Sequence, residues 1–232
     1  MKRLSISEAE GLAKKLRADI GIGNEEPINA KTMLRQLHVL TMYRPLSEEA
    51  YGISVKSGKD GRFMLINSKT TRGRQHFTIG HELYHLLYDE HPTPHLCVKG
   101  ESAGTERDAN LFSSALLMPE DGLRRGVSAE ETRTGRIELA TVLRLEQLYG
   151  VSRSALLYRM KDLRLIDEQE RKRLADISIK ESAKEYGYDL SLYESGNDGV
   201  VIGDFGEKAR RLFEMERISE GHYVELLNMI HP

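Results

Sequence analysis

Residues 81–85 read His-Glu-Leu-Tyr-His inside a segment whose apolar residues, Phe77, Ile79, Leu83, Leu86 and Leu87, recur at helical spacing. No other run constrains the fold as tightly. Histidines four apart on an α-helix stack on one face, where both imidazoles reach a single ion. Glu82 lies about 100° round the same helix, near enough to act on a water at that ion without being a ligand. Two unpaired histidines would be costly to bury, so the polar face of this core helix is expected to look into a cleft. The helix is read as Arg72 to Tyr88, ending at Asp89-Glu90-His91-Pro92, where Pro92 disfavours helix at His91.

This is the zincin arrangement, in which two histidines hold Zn²⁺, an open position holds water and the glutamate accepts its proton. Such a site needs a third protein ligand. His91 follows His85 at the metzincin spacing, but that pattern needs Gly where Tyr88 stands, so that the chain can turn back sharply. The alternative is an acidic residue on the next helix, read as about 101–118. There Thr105-Glu106-Arg107-Asp108-Ala109-Asn110 offers Glu106, with Asp108 in reserve. Glu106 is preferred because it shares a face with Asn110, which can hydrogen-bond a ligating histidine while the carboxylate ligates. The small Ala109 would let the two helices approach closely.

The runs RQHFTIGHELYHLLY and ERDANLFSSALLMP, in that order, resemble the ImmA/IrrE family of zinc metallo-endopeptidases over about Met33 to Pro119. The family signature is R-x-R-F-T-x-A-H-E-L-G-H followed by E-x-x-A-N-x-F-A-x-x-L-L-M-P. The resemblance implies that His81, His85 and Glu106 are the zinc ligands, that Glu82 is the catalytic base, and that the reaction is peptide-bond hydrolysis. It further implies a protein substrate, a transcriptional repressor with its own helix-turn-helix, cut to release a stress response or a mobile-element gene set. Three departures stand out: Gly80 for the usual Ala, Tyr84 for the usual Gly, and Ser113-Ser114 where Ala is common. Tyr84 is expected to narrow or reshape the cleft. A donor for the oxyanion is also expected, with Tyr88, His95 and Tyr158 as candidates, and the lone cysteine, Cys97, reads as a small buried packing residue.

The remainder of the chain supplies a setting. Ser5 to Arg17 is an amphipathic helix, Asn29 caps a second one, and Val39 to Tyr43 reads as extended. Tyr51–Val55 and Arg62–Asn67 read as a hairpin around Gly58 and Gly61, giving a small antiparallel sheet. After Pro119, residues to Gly135 read as a connection. Leu139 to Tyr149, Gly150, Val151-Ser152 and Arg153 to Leu163 resemble a helix-turn-helix over about residues 139–166, with Arg153, Arg159 and Lys161 adding positive charge. Asp167 to Glu185 reads as one charged helix, Val200 to Ile202 as a short strand, and Glu207 to Ile230 as helix; His222 and His231 are expected at the surface.

The fold class is therefore α+β: a zincin-like domain over residues 1–125, then a helical region over 126–232. With 34 Lys+Arg against 36 Asp+Glu, the chain carries no general nucleic-acid footprint, so DNA is not the expected partner. One cysteine excludes a disulfide framework and a thiolate-rich zinc site. The opening residues lack the apolar region of a signal peptide, and no run approaches the ~18 apolar residues of a membrane span, so a cytoplasmic protein is expected. The competing expectation is a DNA- or protein-binding regulator with a structural or inactive metal site, against which the intact Glu82 argues. Oligomeric state has no signal in the sequence.

Overall fold

The computed structural model describes residues 3–58, 61–89, 94–100 and 104–230; His91 and His231 lie outside them. Helix α1 (Ile6–Asp19) opens on a capping box between Ser5 and Glu8 and buries Ala9, Ala13 and Leu16, the stripe that the sequence marks. Helix α2 (Ala30–Gln36) is capped by Asn29. Strands β1 (Val39–Arg44), β2 (Ala50–Ser57) and β3 (Gly61–Asn67) follow, then helix α3 (Arg72–Tyr88), strand β4 (His95–Val98) and helix α4 (Thr105–Leu117).

The sheet has the order β4-β2-β3-β1-β5, its last strand being Val201–Ile202. The β2–β3 hairpin forms as expected, with Gly58 at φ 59°. The sheet is nevertheless mixed rather than wholly antiparallel, because β1 runs parallel to β3, pairing Val39 with Arg62 through Arg44 with Asn67. A hairpin that lays β3 beside β1 forces that direction, whereas local strand patterns report only which residues are extended. Helix α3 packs on β2 and β3. Its Ile79, Leu83 and Leu86 join Met64, Ile66, Val39 and Tyr43 in one core. Each such buried side chain stabilises by roughly 1.5–3 kcal/mol, which offsets the burial of His81, Glu82 and His85 on the same helix.

The second half is more segmented than its charge pattern suggests. The stretch read as a connection holds two short helices, α5 (Glu120–Gly126) and α6 (Ala129–Thr134), the latter opened by a capping box of Ser128 and Glu131. Helices α7 (Leu139–Tyr149) and α8 (Arg153–Asp162) meet at Gly150, φ 61°, and Ser152 caps α8 as the sequence indicates. The charged helix expected over Asp167–Glu185 is two, α9 (Glu168–Ala175) and α10 (Ile179–Glu185). The last segment is also two, α11 (Phe205–Glu214) and α12 (Glu220–Ile230), with Glu216 at φ 55° between them; His222 is exposed. The apolar core includes residues from α1 to α9 and Ile202 of β5, so buried side chains on both sides of residue 125 share it.

Candidate metal centre

Helix α3 carries His81, Glu82 and His85 with exposures of 2%, 0% and 5%. Helix α4 brings Glu106 in its first turn, where the helix dipole favours a carboxylate. The close approach of the two helices has a specific cause. A Cβ on Gly80 would sit 2.5 Å from Ser113 Oγ, and that hydroxyl donates to the Phe77 carbonyl at 2.7 Å. The two departures from the family signature thus fit each other, one losing the methyl whose space the other's hydroxyl fills. Ala109 is fully buried. Tyr84 does not narrow the cleft: its ring turns into the core against Phe112 and Tyr88, and burial pushes its hydroxyl up to about 12.

The ligand atoms of His81, His85, His95 and Glu106 all lie within 4.8 Å of one another. His81 Nδ1 faces Asn110 Oδ1 at 3.0 Å and His85 Nδ1 faces Asp89 Oδ2 at 3.1 Å. Both partners are acceptors, so each Nδ1 carries the hydrogen and each Nε2 presents a lone pair. Those Nε2 atoms are 3.3 Å apart, and Glu106 oxygens stand 3.1 Å from His81 Nε2 and 3.4 Å from His85 Nε2. Three electron-rich groups facing one another repel unless a cation lies between them. Ligands about 2.0–2.1 Å from a tetrahedral ion are separated by roughly 3.3 Å, so the donor set fits a small tetrahedral cation such as Zn²⁺. Asp108 is buried beside Arg107, at 3.3 Å, and is not in the cluster.

His95, on the edge strand β4, is the residue whose place the sequence least reveals. Its Nε2 lies 2.7 Å from Glu106 Oε1 and its Nδ1 3.3 Å from Glu82 Oε2. Burial disfavours the charged ring, but these two carboxylates outweigh it and push His95 up to about 10. With both nitrogens engaged, His95 offers no free N–H to an oxyanion. Of the other two candidates, Tyr88 packs edge-on against Phe112, while Tyr158 is half exposed under Lys161 and Arg171.

Glu82 Oε1 is buried and has no hydrogen-bond partner among the described residues. An orphaned carboxylate oxygen is costly, and such groups mark strain or chemistry. It points toward Gly52 of β2, where a Cβ would stand 3.4 Å from it and 2.8 Å from Thr78 Cγ2. Cys97 is buried on β4, as expected, with its sulfur within 4.8 Å of ligand atoms of His81 and Glu82. A cavity of about 400 Å³ opens onto His81 between Tyr51, Phe77, Thr78 and Asn110. Through Arg74 and Tyr158 it continues into a hollow of about 580 Å³ reaching Ser154 and Ala155 of α8. A larger hollow of about 740 Å³, between α6 and α9, touches none of these groups.

The helix-turn-helix-like segment buries two of its cations. Arg153 is 1% exposed and donates to Glu146 Oε1 at 2.5 Å, and Arg159 is 2% exposed, bonding the Met118 carbonyl and Glu10. No helix among the described residues is long and apolar enough to cross a membrane. Comparison with curated proteins gives no match. Residues 34–161, from α2 through α8, match the family described as Peptidase M78, IrrE N-terminal-like domain. Covering more than half of the chain and every residue of the metal cluster, this match agrees with the paired motifs and the convergent ligands: the chain belongs to the Peptidase M78 (ImmA/IrrE) family.

Proposed function

We propose that this protein is a zinc-dependent endopeptidase that cuts a protein substrate in the cytoplasm, with a helix-turn-helix repressor as the substrate class that the family resemblance favours. The observation that carries the reading is the buried, half-unpartnered carboxylate of Glu82 beside three convergent ligand groups. His81, His85 and Glu106 would hold the ion. Bound there, zinc supplies Lewis-acid polarisation of the scissile carbonyl and acidifies water. Asn110 and Asp89 fix the two imidazoles so that both Nε2 atoms converge. Glu82 Oε1 accepts the proton of the attacking water and returns it to the leaving amine. The two adjoining hollows, which share Arg74, Phe77, Asn110 and Tyr158, lead from His81 to α8 and give room for a peptide segment.

A protein partner is preferred over DNA because Arg153 and Arg159, two of the cations of the helix-turn-helix-like segment, are enclosed and paired, and the chain as a whole is not basic. The Glu82→Gln variant tests the reading against a purified repressor. Zinc should remain near one equivalent while cleavage falls by about 10²–10⁴-fold. Undiminished cleavage by that variant would overturn the assignment of Glu82. A zinc-loaded wild type that leaves every repressor tested intact would count against the repressor as substrate.

A further inference from the structure

His95 stands at the junction of the three elements that build the metal centre. Strand β4 has only four residues and pairs with β2, His95 opposite Ser54. From there the imidazole stacks on His85, with centroids 3.6 Å apart and planes at 17°. Its two nitrogens face two carboxylates, Glu82 on α3 and Glu106 on α4.

Proximity alone would make His95 a fourth ligand, and two observations speak otherwise. The 2.7 Å between its Nε2 and Glu106 Oε1 is a direct hydrogen-bond distance, well below the 3.1–3.4 Å that separates the other donor atoms. A fourth protein ligand would also close the site, whereas hydrolytic zinc sites keep a position open. We propose that His95 is a positioning residue, a clamp that holds the base Glu82 and the ligand Glu106 in fixed relation by engaging one with each ring nitrogen. The inference rests on the metal-centre part of the reading above. Its chemical content is simple: Glu82 keeps Oε1 directed away from the clamp, and Glu106 keeps one oxygen against His81.

The test measures zinc dissociation constants by chelator competition, with cobalt(II) absorption and melting of the metal-free protein alongside, for wild type, His95→Ala, His95→Gln and Glu106→Ala. Loss of an outer partner of a ligand weakens metal binding by about 10–100-fold, the shift expected for His95→Ala, with cobalt absorption of tetrahedral character kept. His95→Gln, whose amide can still donate to Glu106, should recover a large part of that loss. In a cleavage assay the same variant pair should change kcat and leave KM nearly as it was. Unchanged zinc affinity in a folded His95→Ala protein would overturn the proposal. So would a loss as deep as that of Glu106→Ala with an altered cobalt spectrum, which would make His95 a ligand. A wild type that binds zinc but cuts no protein would sink the peptidase reading while the zinc constants still decide the role of His95; a wild type that takes up no zinc would sink both.

Discussion

Two pairs of helices in this molecule bury charge, and they do so in opposite ways. Between α7 and α8, Glu146 accepts from Arg153 at 2.5 Å and from the Tyr193 hydroxyl at 2.7 Å, while Arg153 also donates to the Ile177 carbonyl and Ser182. Donors meet acceptors, and the network is complete in itself. Between α3 and α4, lone pairs of His81 and His85 meet carboxylate oxygens of Glu106, and an oxygen of Glu82 has no hydrogen-bond partner among the described residues. Burial and charge are alike in the two places; complementarity is what differs. A self-satisfied network is an element of structure, whereas a cluster of unmatched acceptors is incomplete without a cation and a reacting molecule.

The contrast can be broken by experiment. Its largest expected effect is at the complete network: Arg153→Ala leaves Glu146 buried without its cation and should cost about 3–5 kcal/mol in denaturant unfolding, with zinc stoichiometry unchanged in the folded fraction. A cost under 1 kcal/mol would mean that the network is not the closed unit described. Next is the metal. Zinc at about 100 times its dissociation constant should stabilise the wild type by roughly 2.7 kcal/mol, and the same concentration should do almost nothing for Glu106→Ala. Equal stabilisation of both proteins would remove Glu106 from the ligand set. The smallest effect concerns the helix contact that brings the ligands together. Gly80→Ala should cost about 1–3 kcal/mol through its collision with Ser113 Oγ, and adding Ser113→Ala should restore most of it. Additive costs in the double variant would show the two positions to be uncoupled.

What could be read from the sequence was what is local. The i, i+4 spacing of His81 and His85, the Arg72–Tyr88 helix that carries them and the Glu106/Asn110 face are all set within a few turns of helix. The His95 clamp was not legible, because its partners are 13 and 11 residues away and meet it only once β4 has paired with β2. The parallel β1–β3 pairing was hidden for the same reason. Two other differences had a local signal. Ser128 and Glu131 spell a capping box inside the stretch taken for a connection, and Ser178 sits where the supposed single helix breaks. Tyr84 follows a third logic: a bulky residue between two histidines looks obstructive in one dimension, yet on a helix it points about 100° round from His85 and about 60° from His81, here into the core.

The Gly80–Ser113 contact also makes the two positions unequal in what they tolerate. With alanine at 80, the serine at 113 would hold its hydroxyl 2.5 Å from a methyl carbon. With alanine at 113, the glycine at 80 would open only a methyl-sized gap and loosen a helix, each costing about 1 kcal/mol. Serine at 113 fills that gap and gains the bond to Phe77. What the contact between α3 and α4 fixes is a volume rather than a pair of letters.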